Sequence, residues 1–101
     1  MTCTSENEFA HLVMKIALGN QNKIATFAEC FSKIPSMITL TPEDTAPSVP
    51  RNGEPLWYQR IRNIKSHSPS FENFINKGLL EHIPDVGYKI TSSGETYISK
   101  F

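Results

Sequence analysis

The chain has 101 residues, 39% of them hydrophobic, and ten Lys or Arg are matched by ten Asp or Glu, so the formal net charge is zero. This excludes a disordered tail and a protein that binds nucleic acid by bulk charge, and it bounds residues 1–101 as one small domain with a modest core. No run approaches the roughly 20 apolar residues of a membrane span, the start MTCTSENEF lacks a signal-peptide pattern, and Cys3 and Cys30 form no CxxC or disulfide framework. The expectation is a cytoplasmic protein with free thiols and no membrane partner.

Ser5-Glu-Asn-Glu8 has capping-box spacing, and Phe9, Leu12, Val13, Ile16 and Ala17 follow at helical intervals until Gly19-Asn20. A second helix is expected from about Asn22 to Ile34, with Ile24, Phe27, Ala28, Phe31 and Ile34 on one stripe and Pro35 as its end. Thr41-Pro42-Glu43-Asp44 suits a single helical turn, and TPEDTAPSVPRNGEP, with four of the seven prolines, reads as a long surface loop. A third helix is expected from about Asn52 to Ser66 or His67, with Trp57, Ile61 and Ile64 facing inward. Pro69 breaks it, and Ser70 can cap a short segment FENFINKG that Gly78 terminates. The period then changes: a strand around Leu80 to Ile83, a turn at Pro84-Asp85-Val86-Gly87, a strand from Tyr88 to Thr91 and a last turn from Ser92 to Ile98. The fold class is α+β and mostly α. Three or four helices followed by a β-hairpin wing is the order of a winged helix-turn-helix, in which the third helix enters DNA.

Charge is unevenly placed. Residues 1–50 hold three Lys against five acids, and residues 51–101 hold seven cations against five. The densest run is PLWYQRIRNIKSH, residues 55–67. With Trp57, Ile61 and Ile64 inward, Tyr58, Gln59, Arg60, Arg62, Asn63 and Lys65 are left on the surface. Arg can hold guanine bidentately, Asn and Gln can do so for adenine, and Lys or Tyr can bond phosphate oxygens. The competing reading is a solvated charged helix face. Trp57 has two readings, a core anchor or an indole at the edge of the DNA surface that packs on a methyl group of a base. Lys89, in a hairpin read as basic-tipped, is a backbone candidate, and His67 is a helix C-terminal residue favoured by the dipole.

Catalytic readings fare worse. His11, His67 and His82 lack metal-ligand spacing, no Asp-x-Lys or Glu-x-Lys triplet occurs, and there is no G-x-S-x-G, P-loop or dinucleotide fingerprint. The chain is read as neither an enzyme nor a cofactor or metal protein.

The runs LTPED, NGEPLWYQRIRNIKSH and NKGLLEHIPDVGYKITSSGETYI resemble the winged-helix domains attached to restriction endonucleases, especially the Mrr-type amino-terminal domain and related readers of modified DNA. The positions that carry the resemblance are Pro55, Trp57, Arg60, Ile61, Gly78, Leu79, Ile90, Thr91 and Gly94, within residues 40–98. Two features depart from the pattern: Pro69 interrupts a helix that usually runs into the Gly-Leu, and Asn63 stands where a tryptophan is often found. The resemblance implies a prokaryotic restriction-modification protein whose amino-terminal module reads double-stranded DNA, with a dependence on base modification (N6-methyladenine ahead of methylcytosine) and a nuclease domain further along the same polypeptide. Trp57, Gln59, Arg60 and Asn63 are the base-reading candidates, and Arg51, Tyr58, Arg62, Lys65, His67 and Lys89 the backbone candidates. The alternatives are a stand-alone winged-helix transcription regulator, expected to dimerise, and a winged-helix protein interaction module.

Overall fold

The computed structural model describes residues 5–48 and 53–100. Ser5 and Glu8 close a reciprocal capping box: the Ser5 hydroxyl oxygen accepts from the Glu8 amide at 3.1 Å and the Glu8 carboxylate from the Ser5 amide at 3.2 Å. From this start α1 (Glu6–Gly19) buries Phe9, Ala10, Leu12, Val13, Met14, Ile16 and Ala17, a wider face than one stripe. It is wide because α1 is the central helix, packed against helices on several sides and against the sheet.

The second helix departs from expectation. Ile24–Thr26 is a strand, β1, and α2 (Phe27–Met37) starts only after it. Thr26 ends the strand and caps the helix, accepting from the Glu29 amide at 3.1 Å while Glu29 Oε1 accepts from the Thr26 amide at 3.3 Å. Three residues are too few to show a strand period, so the local sequence offers no warning of β1. The later start rotates the buried face onto Cys30 and Ile34 with Phe27 and Phe31 half-buried, and Ala28 is exposed rather than inward. Pro35 sits inside the last turn instead of ending the helix; there it removes one intrahelical donor, a loss tolerable near a helix end.

Thr41 caps α3 (Pro42–Thr45), with Asp44 as the reciprocal partner. The proline-rich stretch is not all loop: β2 (Pro47–Ser48) pairs antiparallel with β3 (Glu54–Pro55), and the Leu56 amide donates to the Ala46 carbonyl at 2.9 Å. This ribbon delivers the chain to α4 (Leu56–Ser66). The expected start near Asn52 lies outside the described residues, and Pro55 takes the N-cap position.

FENFINKG forms turns and no helix. Its anchor is Asn73, buried, whose Nδ2 donates to the Ile64 carbonyl at 2.7 Å and whose Oδ1 accepts from the Ile75 amide at 2.7 Å. Pro69 prevents the helix from continuing, so a side chain satisfies a carbonyl left open in its last turn. Gly78 has φ +76°, which only glycine adopts easily.

The hairpin forms where expected, with its second strand one residue earlier: β4 (Leu80–Ile83) and β5 (Gly87–Ile90) pair antiparallel, Leu80 opposite Ile90 and Ile83 opposite Gly87, so Gly87 belongs to the strand and not to the turn. The unanticipated β1 joins the other edge of β5, giving the order β1-β5-β4. A Cβ on Gly87 would lie 2.0 Å from the Ala25 carbonyl oxygen, so the two strands meet because that residue has no side chain. Thr91 caps α5 (Ser92–Ile98), which closes the fold against α1. About half of the chain is helical and the sheet is small, an α+β architecture. Among the described residues no helix is long and apolar enough to cross a membrane.

Candidate nucleic-acid interface

α4 is positioned by an aromatic cluster at its start and by the hairpin at its middle. Trp57, 3% exposed, stacks on Phe9 at 5.8 Å and meets Phe31 edge-on at 5.8 Å. Tyr88 of β5 reaches across the core: its hydroxyl donates to the Ile61 carbonyl at 2.6 Å and accepts from the Lys65 amide at 3.2 Å. Burial pushes the Tyr88 phenol far above its ordinary pKa, so the hydroxyl remains a donor throughout the neutral range. Trp57, Ile61 and Ile64 form the buried row, as their spacing predicts.

The other faces of α4 divide into rows by helical geometry. Gln59, Asn63 and Ser66 share the row most nearly opposite the buried one. Arg60 lies on the flank with Leu56, and Tyr58, Arg62 and Lys65 lie on the other flank, toward α2. Gln59, Arg60 and Asn63 are half-buried and Lys65 and Ser66 exposed, and α3 also packs against α4.

The α2-facing flank is tied into the protein. The Tyr58 ring stacks on Phe31 with centroids 3.8 Å apart and planes within 3°. Arg62 forms a two-pronged ion pair with Glu54, Nη2 to Oε2 at 3.0 Å, and its guanidinium stands 5.3 Å from the Phe31 ring centroid. Phe31 and Glu54 are neighbours of this helix face that sequence reasoning passes over. Glu54 precedes a proline and Phe31 belongs to another helix, so no spacing within one element connects either to Arg62.

Several expectations are corrected by this placement. Trp57 is a core anchor, and its burial leaves no indole surface for a base. Tyr58 and Arg62 spend their faces on α2 and β3 rather than standing free for phosphate. His67, the C-cap of α4, pairs through Nδ1 with Glu6 Oε1 at 2.6 Å, which fastens the end of α4 to the start of α1. The hairpin is not basic-tipped: Pro84, Asp85 and Val86 form its tip, and Lys89 stands inside β5 opposite Glu81 and Ile24. Since Tyr88 and Ile90 face the core, alternation puts Lys89 on the opposite side of the sheet from α4. Arg51 lies outside the described residues. Gln59, Arg60, Asn63 and Lys65 are brought together on one helix, joined by Ser66, which the same helical spacing places in the row of Gln59 and Asn63. Comparisons of the chain with protein-family models, with curated proteins and with solved structures find no match.

Proposed function

We propose that the chain is a winged-helix module that reads double-stranded DNA by setting α4 in the major groove, and that it serves a restriction endonuclease whose nuclease domain lies on the same polypeptide. The observation that carries this reading is the outward face of α4, where amide and hydroxyl groups run in a row flanked by Arg60 and Lys65. That face combines groups able to bond base edges with cations able to bond phosphates. Support also comes from the sheet order β1-β5-β4, which lays a hairpin behind α4 and ties it there through Tyr88. A zero net charge is compatible with the reading, because Arg60 and Lys65 stand on α4 itself.

The test is a titration of the chain against duplex DNA at several salt concentrations. Binding that weakens steeply with salt is expected, and Arg60→Ala should weaken it by ~1 to 3 kcal/mol at preferred sites. If neither Arg60→Ala nor Lys65→Ala changes binding to any duplex, α4 is not the reader. A protein interaction module is the second reading, favoured by Phe71, which is 89% exposed just beyond α4. No salt-sensitive DNA binding at low ionic strength, together with loss of a protein contact in Phe71→Ser, would establish that alternative.

A further inference from the structure

Glu54 sits two residues before α4, yet its carboxylate lies against the flank of the helix, where Arg62 grips it with both prongs of the guanidinium, Nη2 to Oε2 at 3.0 Å. The side chains of Arg62 and Glu54 are only 28% and 23% exposed, so the pair sits at the edge of the fold and not free in solvent. The same guanidinium stands 5.3 Å from the Phe31 ring centroid, and Phe31 stacks on Tyr58. Bonding a carboxylate with a planar fork while packing on an aromatic ring suits Arg and not Lys. One turn further along this flank stands Lys65, exposed. A cancelling acid and base therefore border the cation proposed to meet a phosphate strand.

We infer, on the basis of the DNA reading proposed above, that Arg62 serves as the counter-charge of Glu54 and not as a phosphate ligand, and that Glu54 is the residue that limits affinity on this flank of α4. Moving the guanidinium to a phosphate would exchange one anion for another. It would also give up the Phe31 face and leave the Glu54 carboxylate half-buried without its partner, which is the costly way to lose an ion pair. Left in place, Arg62 cancels a carboxylate that would otherwise act on the strand beside Lys65. Exposed charges interact within a Debye length, ~10 Å at about 0.1 M salt, so an uncancelled Glu54 repels phosphates it never touches.

The chain, Glu54→Gln, Arg62→Gln and the double variant are titrated against one mixed-sequence duplex over a range of salt concentrations. Arg62→Gln should weaken binding about two- to fivefold and Glu54→Gln should tighten it by a similar factor. The double variant should return to within about twofold of the parent and keep the parent's salt slope. Its thermal midpoint should stay below the parent's, because the ion pair and the contact with Phe31 are still missing. Recovery of binding without recovery of stability separates charge cancellation from a role in folding. A double variant that binds as weakly as Arg62→Gln, with a salt slope smaller by about 1, makes Arg62 a phosphate ligand and overturns the inference while the DNA reading stands. A Glu54→Gln protein that binds no tighter than the parent overturns it as well. That variant keeps the shape of the side chain and an acceptor for the guanidinium, so this arm decides the matter even where Arg62→Gln fails to fold. Failure of the parent to bind any duplex overturns both the inference and the reading beneath it.

Discussion

Arg62 and Lys65 have the same charge, stand three residues apart on α4, and differ in what surrounds them. Arg62 is about one-quarter exposed, paired with Glu54 and set over Phe31, whereas Lys65 extends into solvent. Arg62→Ala should therefore lower stability by about 1–2 kcal/mol in chemical denaturation, through the lost ion pair and cation–π contact. Lys65→Ala should leave stability within ~0.5 kcal/mol, weaken all duplexes alike and reduce the salt slope by about 1. A second residue-scale effect concerns alkaline pH. Burial, reinforced by the Glu29 charge, pushes the Cys30 thiol up to about 12. The folded state then holds a proton that the unfolded chain releases near its ordinary thiol value of ~8.5. The stabilisation is fully present below that value and is lost as pH rises toward 12, with a slope of up to ~1.4 kcal/mol per pH unit. Denaturant midpoints should fall between pH 8 and pH 10, and less steeply in Cys30→Ala. Native Cys30 should also resist alkylation at pH 8 until the protein unfolds.

At the scale of elements, the junctions carry the informative chemistry. Thr26 serves as the last residue of β1 and the N-cap of α2, so Thr26→Ala should cost about 0.5–2 kcal/mol by loosening the capping box with Glu29. The meeting of β1 and β5 is less forgiving. A Cβ at Gly87 would come within 2.0 Å of the Ala25 oxygen and 2.8 Å of the Thr26 Cα, both backbone atoms that cannot rotate aside. Gly87→Ala should separate the strands and lower the thermal midpoint by ten degrees or more, on the scale of roughly 4–8 °C per kcal/mol for a domain of this size. Hydrogen exchange should then show lost protection in β1 while α1 keeps its own. α1, the hairpin and the buried row of α4 were legible because each repeats its period over enough residues to be read. β1 and the β2–β3 ribbon were not, since two or three residues show no period and only a partner strand defines them. FENFINKG carried apolar residues at helical spacing, yet Asn73 and the carbonyl it satisfies held that segment in turns.

For the whole molecule, the placement of α4 depends on how the elements assemble around α1. That helix collects α2, α4, α5 and the sheet, and Tyr88 spans the core to fix α4 from behind. Tyr88→Phe keeps the ring and removes the hydroxyl, leaving the Ile61 carbonyl short of a buried donor. A loss of about 1–3 kcal/mol is expected, accompanied by weaker duplex binding as α4 loses its support. The sequence by itself determined the α+β composition, the first helix, the place of the hairpin and the inward row Trp57-Ile61-Ile64, because these follow from local periodicity, caps and turn residues. Tertiary structure alone decided which cations near α4 are engaged elsewhere. It committed Arg62 to Phe31 and Glu54 and put Lys89 on the far side of the sheet. Those outcomes depend on residues distant in the chain, and no local spacing encodes such distances.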